Sequence, residues 1–219
     1  MIFIGFEEIK KTKVKAVLLD LDNTLYEYEP CHQYALKSCW QYFQKNNQIS
    51  FSKFKKDYEV ARQGVKKYTL GQAASHSRFL YFQRFLEKTY GKTDMILTIK
   101  LEKMYWENFF KKMKLFDGVL DFLRKCGKNN IKVCLITDLT AKIQFEKINH
   151  LKIGKYLNFV VSSEEAGHDK PHQDIFKLAL EKLELRPKDV ILIGDDYEKD
   201  LAGGEKIGIK TILINSRKK

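Results

Sequence analysis

The stretch Lys15-Ala16-Val17-Leu18-Leu19-Asp20-Leu21-Asp22-Asn23-Thr24-Leu25 decides how the rest of the chain folds. Its unbroken Val/Leu run reads as a strand buried on both faces, which is what a parallel sheet covered by helices requires. Side chains two residues apart on a strand point the same way, so Asp20 and Asp22 aim at one region just past the strand's end. Two neighbouring carboxylates raise one another's pKa unless something positive sits between them. The arrangement therefore points to a metal site or to a nucleophile paired with an acid/base, and this stretch alone leaves both open.

The surrounding composition narrows the choice. At 219 residues and 44% hydrophobic content, the chain has material for one large domain or a domain with an insertion. Met1 to Phe6 is apolar but lacks a basic start, a long apolar region and a small-residue cleavage site, so no export signal is expected. No segment approaches the length of a transmembrane helix. Cys31, Cys39, Cys126 and Cys134 form no CxxC pair, and free thiols in a reducing, cytoplasmic setting are expected.

The net charge of +12 raises nucleic acid as a partner. Between Leu25 and Lys114 there are 17 Lys/Arg against 8 Asp/Glu, so most of the excess lies in that stretch. Lysine dominates and no basic run exceeds three residues, which reads as a solvated helical surface and disfavours nucleic acid. Attraction of small anionic substrates is a second use for such a surface.

After Thr24 the pattern turns helical for some ninety residues: Tyr34 to Phe43, Phe51 to Val60, Ser77 to Glu87 and Leu97 to Phe110 carry apolar residues at helical spacing. Stripes such as Phe79, Phe82, Leu86 and Tyr105, Phe109 predict a helix-bundle core rather than a base-stacking platform. From Phe116 onward helices and buried strands alternate. Strands are expected at Ile131 to Ile136, Asn158 to Val161, Val190 to Ile193 and Lys210 to Ile214. This rhythm predicts an α/β fold with a doubly wound parallel sheet and an inserted helical segment. Ligands of such sheets bind beyond the carboxyl ends of the strands.

Polar residues gather at those ends. Strand one delivers Asp20 and Asp22, the next Thr137 and Asp138, and the penultimate one Asp195 and Asp196, while Lys170-Pro171 follows the Ser162-Ser163 strand and Asp200 opens the last helix. Acids converging on one edge need counter-charge, and oxygen-only ligands favour Mg²⁺ over zinc.

In these motifs the chain resembles the haloacid dehalogenase (HAD) superfamily, phosphatase type, with a Rossmann-like core and a helical cap inserted after the first strand. Asp20, Asp22 and Thr24 match DxDxT, Thr137 matches the second-motif hydroxyl, Lys170 the lysine motif, and Gly194, Asp195 and Asp200 match GDxxxxD. The resemblance implies a catalytic core of residues 1–26 and 115–219 and a cap of residues 27–114. It implies that Asp20 attacks phosphorus, that Asp22 protonates the leaving oxygen and then activates water, and that Asp20, the Asp22 carbonyl and Asp195 hold Mg²⁺. Thr137 would donate to a phosphoryl oxygen, Lys170 would neutralise charge, and Asp200 would orient Lys170 or a metal-bound water.

Competing readings frame these assignments. Thr24 is either a turn or cap residue or a phosphate contact. Asp138 stands where many family members carry Asn, so it either points away from substrate or is neutralised by a cap lysine. Asp196 is left undecided between solvent and a water-mediated metal role. His168 and His172 read as surface residues, and Cys31-His32 is a weak nucleophile pair. Arg78, Lys66 and Lys67 are candidate substrate contacts on a basic, exposed bundle surface. The expected function is hydrolysis of a small phosphorylated metabolite such as a nucleotide or sugar phosphate. The rivals are a phosphomutase or dehalogenase of the same superfamily, a phospho-accepting receiver, and a nucleic-acid-binding module.

Overall fold

A computed structural model describes residues 6–214. The N-terminal apolar patch from Met1 lies, up to residue 5, outside the described residues. In chain order the principal elements are α1 (Phe6–Lys11), β1 (Ala16–Leu19), α2 (Tyr28–Phe43), α3 (Phe51–Thr69), α4 (Arg78–Tyr90), α5 (Met95–Lys112) and α6 (Val119–Lys128), then β2 (Lys132–Thr137), α7 (Ala141–His150) and β3 (Phe159–Ser162). They continue as α8 (Ser163–Ala166), α9 (Gln173–Leu183), β4 (Val190–Gly194), a wide π-type turn at Tyr197–Leu201, α10 (Ala202–Glu205) and β5 (Lys210–Leu213). The described chain divides into two compact units. One takes residues up to 27, 71–73 and from 114 onward, and the other residues 28–70 and 74–113.

The first unit is a five-stranded parallel sheet in the order β3-β2-β1-β4-β5. All four residues of β1 are buried, as its apolar run requires in a central strand with both faces covered. Leu19 pairs with Leu135 on one side and Ile193 on the other, so β1, β2 and β4 end at nearly the same level. The chain leaves β1 toward β2 on one side and reaches β4 on the other, which places a switch in strand order beside Asp20. On one face of the sheet Leu18, Ile136, Val161 and Leu192 pack with Phe176, Ala179 and Leu183 of α9. Burial of Phe176 contributes about 2–3 kcal/mol by its apolar area. Gly203 lies so close to Phe176 and the Pro171 carbonyl that an added Cβ would fall 2.4 and 2.3 Å from them, which explains a glycine where α10 meets α9 and the loop before it.

The second unit is the inserted helical segment. Each of its helices α2 to α5 runs further at one end or both than the apolar periodicity indicates: α2 starts at Tyr28 rather than near Tyr34, and α3 continues to Thr69 rather than Val60. The added turns are mostly polar, so their apolar stripe is thin. Caps set other boundaries, with Ser50, Ser77 and Asp94 accepting from the backbone of Lys53, Leu80 and Leu97. Phe43, Phe54 and Phe85 form an aromatic cluster with ring centroids 4.9 to 5.6 Å apart. Phe82, Leu86, Tyr105 and Phe109 are buried as the stripes predict, whereas Phe79 is 41% exposed and belongs to the surface. All four cysteines are free and buried. No helix among the described residues is long and apolar enough to cross a membrane.

His32 sits inside this bundle, with Nδ1 2.7 Å from the Tyr105 hydroxyl. Burial and then the nearby Arg78 charge push its pKa down to about 3. Because the folded value lies below the ordinary value of 6.5, the unfolded chain takes up the proton first as pH falls. The contribution of His32 to stability is complete above about pH 6.5 and is lost progressively down to pH 3, about 1–2 kcal/mol being gone by pH 5. Imidazole NMR titration should show His32 neutral at pH 5, and protonation near 6.5 would contradict this packing.

Candidate active site

The carboxyl ends of β1 and β4 bring the central acids together. Asp20 directly follows β1, and its backbone N–H donates to the Ile193 carbonyl at 3.0 Å, so the sheet ladder itself fixes where the side chain starts. Asp195 follows β4, and Asp200 lies in the wide turn at Tyr197–Leu201. One carboxylate oxygen from each of Asp20, Asp195 and Asp200 falls within 4.8 Å of the others. The next requirement is charge compensation.

Lys170 provides part of it. Its Nζ lies 2.5 Å from Asp20 Oδ1 and 2.7 Å from Asp200 Oδ1, and it also donates to the Ile136 carbonyl at 3.4 Å. Burial pulls the Lys170 pKa down, but the charges of Asp20, Asp200 and Asp138 outweigh it and hold the ammonium well above its ordinary range. Burial and then the Asp200 charge push the Asp20 carboxyl well up, against the opposing effect of Lys170. Asp20 and Asp200 share that one ammonium and Asp195 lies beside them, so carboxyl groups are in excess over cations in this cluster. Asp20 Oδ2 is buried with no hydrogen-bond partner. An all-oxygen donor set with that excess and an unpartnered buried carboxylate oxygen fits a hard divalent cation.

Asp200 is tied on both sides. Its Oδ2 accepts the backbone N–H groups of Asp195 and Asp196 at 3.2 and 3.1 Å, while Oδ1 holds Lys170. Gly194 makes room for it, since an added Cβ would fall 2.5 Å from Asp200 Cβ and 2.6 Å from Oδ2. Gly194→Ala should therefore displace Asp200, loosen Lys170 and lower kcat by about 10²-fold, a loss of the size seen when one catalytic electrostatic contact is removed. Steady-state turnover of p-nitrophenyl phosphate by the folded variant checks this. Asp196, open in the sequence, caps the wide turn by accepting from Lys199 N at 3.2 Å.

The second-motif residues come from β2. Thr137 is buried, and its hydroxyl oxygen accepts from Gln144 Nε2 at 2.7 Å, which leaves the hydroxyl hydrogen available to donate elsewhere. Gln144 also donates to the Asp138 carbonyl at 2.5 Å. Asp138 Oδ1 accepts the backbone N–H of Lys170 at 2.9 Å, so this extra carboxylate anchors the lysine loop. Leu139 follows at φ 112, an unusual backbone for a residue with a Cβ, and its N–H is held by Ser163 Oγ at 2.9 Å. Thr24 is fully buried, and its hydroxyl is directed at Asp195 Oδ1 across 3.4 Å. That contact ties Thr24 to Asp195.

Asp22 stands in a separate charge pair. Both of its oxygens accept from Lys147 Nζ at 2.7 Å, and the Tyr26 hydroxyl donates to Oδ1 at 2.5 Å. Asn23, at φ 65, makes the turn immediately after it. Lys147 is completely buried in α7. Neither Lys147, Gln144 nor Tyr26 emerges from motif reading. A trace is visible in α7, where Gln144 and Lys147 occupy buried helical positions three apart while Phe145 between them is 57% exposed. An inverted stripe of that kind marks polar side chains turned toward a site.

A family model described as haloacid dehalogenase-like hydrolase matches residues 17–214. A ribulose-1,5-bisphosphate 5-phosphatase of Halopiger xanaduensis is 36% identical over 204 residues, which cover 91% of this chain and 84% of that protein. The chain belongs to the haloacid dehalogenase-like hydrolases. A glyceraldehyde 3-phosphate phosphatase of Methanopyrus kandleri is 26% identical across 94% of this chain and 85% of its own length. Among solved structures, a HAD phosphatase from Thermococcus onnurineus superposes with a TM-score of 0.74 at 21% identity, covering 92% of this chain and 86% of that one. This HAD-like hydrolase has a Rossmann-like core and an inserted helical cap.

The remaining sequence candidates fall elsewhere. His168 and His172 are exposed, stack on one another at 4.0 Å and share Asp174. Cys31 is a buried thiol of the cap, and Arg78 is only 8% exposed, contrary to the exposed basic surface expected for it. Lys66 is half-buried and Lys67 is exposed.

Proposed function

We propose that the protein is a Mg²⁺-dependent phosphatase of a small phosphorylated sugar, working through a phosphoryl group carried on Asp20. The observation that supports this most is Asp20 itself: a buried carboxylate with one oxygen on Lys170 and the other without a partner. Asp20, Asp195 and the Asp22 carbonyl would hold Mg²⁺, with Asp200 bracing the group through Lys170. When bound, the cation supplies Lewis-acid charge compensation for a phosphate dianion approaching a carboxylate.

An Asp20 oxygen attacks phosphorus as the bond to the substrate's ester oxygen breaks, and Asp22 gives that oxygen its proton. Water then attacks the phosphorus, Asp22 takes the water's proton, and the bond to Asp20 breaks to release inorganic phosphate. Lys147 and Tyr26 hold the Asp22 carboxyl in place through both steps. The Thr137 hydroxyl, with its oxygen already occupied by Gln144, donates to a phosphoryl oxygen. The sugar-phosphate class draws support from the two relatives named above, both phosphatases of phosphorylated sugars. A phosphate-release screen over sugar phosphates and nucleotides, with Mg²⁺ or with EDTA, tests this reading. Release from sugar phosphates that EDTA abolishes and Mg²⁺ restores is expected. Release from nucleotides alone, or activity indifferent to EDTA, would overturn it.

A further inference from the structure

The segment that carries Lys170 also carries two imidazoles that the phosphatase chemistry does not use. Between α8 and the first turn of α9, His168 Nδ1 lies 3.1 Å from Asp174 Oδ2, and His172 Nδ1 lies 3.2 Å from the same oxygen. The two rings stack with their centroids 4.0 Å apart. One ligating atom from each of the three residues falls within 4.8 Å of the others. All three side chains are open to solvent, His168 at 51%, His172 at 45% and Asp174 at 40% exposure, so an ion reaches them without any rearrangement of the core. A tetrahedral site with bonds of about 2.0–2.2 Å to nitrogen and oxygen sets neighbouring donors roughly 3.3 Å apart. Both imidazole-to-carboxylate distances are already near that spacing.

His172 supplies an independent sign. Its side chain caps α9 by accepting from the Asp174 N–H, which requires a lone pair rather than a proton on Nδ1. The approach of that nitrogen to Asp174 Oδ2 therefore brings two electron-rich atoms together with no hydrogen between them. A cation bound by both removes the repulsion, and because the cap is long, 3.5 Å, sharing its lone pair loses little. The partial positive charge at the start of α9 works against a cation, and the Asp174 carboxylate in that first turn offsets it. The Lys170 ammonium is no obstacle, being turned inward onto Asp20 and Asp200. The backbone that carries the donors is held in place: the His172 N–H donates to the Asp169 carbonyl at 3.0 Å, and the Lys170 N–H to Asp138 Oδ1 at 2.9 Å. Donors fixed in this way lose little freedom on binding. Two imidazoles and one carboxylate suit a borderline transition ion, whereas the all-oxygen cluster at Asp20 suits Mg²⁺.

We propose that His168, His172 and Asp174 form a second metal site, which takes a divalent transition ion of the Zn²⁺ kind with water completing its coordination. The bound ion ties the loop carrying Lys170 to the first turn of α9. The site stands apart from the phosphatase reading, since both binding and its effect on the loop are measured without turnover.

The test titrates Zn²⁺ into the full chain with Mg²⁺ in excess, so that the acid cluster is occupied, and follows the imidazole resonances by NMR. Saturable shifts of His168 and His172 are expected, with His32 unmoved. His168→Gln, or His172→Asn, which keeps an N-capping acceptor, should weaken Zn²⁺ binding by at least about a hundredfold, because loss of a residue that merely supports a ligand already costs about 10–100-fold. At a Zn²⁺ concentration about ten times the dissociation constant, hydrogen exchange of the Lys170 and His172 amides should slow about tenfold, since binding to the closed loop depletes its open form by that ratio. Rings that do not respond to Zn²⁺, rings that respond equally to Mg²⁺ alone, or unchanged Zn²⁺ affinity in either folded variant would overturn the site. Binding with unchanged exchange at both amides would overturn the tie to the lysine loop.

Discussion

Asp20→Asn should lower kcat by about 10⁴-fold or more, a loss on the scale of removing a nucleophile, while the protein remains folded. Asparagine preserves volume, and its amide oxygen can still accept from Lys170, which now sits 2.5 Å from Asp20 Oδ1. It cannot form a stable bond to phosphorus. Folding should tolerate the change, because the substitution removes one of the two carboxylates that share the Lys170 ammonium and with it the cost of burying that charge. Stability equal to or above wild type with activity lost is the expected combination, read from urea unfolding and phosphate release on the same preparation. A Lys170→Met variant should behave differently. It would leave Asp20 and Asp200 buried beside each other without their shared cation, so stability should fall along with activity.

Asp22→Asn should separate the two chemical steps. With an alkyl phosphate the leaving oxygen needs a proton, and turnover should drop by about 10²–10⁴-fold, the usual worth of a positioned acid/base. With p-nitrophenyl phosphate the leaving group departs without help, so Asp20 should still be phosphorylated. Hydrolysis of that intermediate lacks its base, and a burst of p-nitrophenolate stoichiometric with enzyme should precede a slow phase. KM should fall with kcat, because the covalent form accumulates. Unchanged turnover of both substrates would remove Asp22 from proton transfer. Lys147 complicates the variant in an instructive way, since its buried ammonium then faces a neutral amide where the Asp22 carboxylate stood. A companion Lys147→Met change should restore stability without restoring activity.

The parts of this site that sequence discloses are those fixed by the backbone. Asp20, Thr137 and Asp195 end strands whose apolar runs are unmistakable, and parallel pairing aligns those ends whatever the side chains do. Lys170 and Asp200 follow at motif spacing. What sequence does not disclose depends on tertiary placement. Lys147 reads as one more surface lysine in a chain with 40 Lys/Arg, and only the orientation of α7 buries it against Asp22. Thr24 follows the motif, but its hydroxyl turns to Asp195 because the chain reverses at Asn23. Asp138 looks repulsive to phosphate until the lysine-loop N–H that it accepts is known. In the cap, helix existence follows from the aromatic periodicity, while helix ends do not, because polar terminal turns carry little of it. Arg78 is the sharpest case. A capped helix start usually shows such a residue to solvent, and here four aromatic rings enclose it.

The most direct test of the central claim is to quench the wild-type enzyme with acid during turnover of p-nitrophenyl phosphate, reduce any acyl phosphate with borohydride and locate the product by peptide mass spectrometry. Reduction of Asp20 to homoserine, absent in the Asp20→Asn protein and enriched in the Asp22→Asn protein, is the predicted result. Full turnover with no modified aspartate, or modification at a residue other than Asp20, would contradict the account.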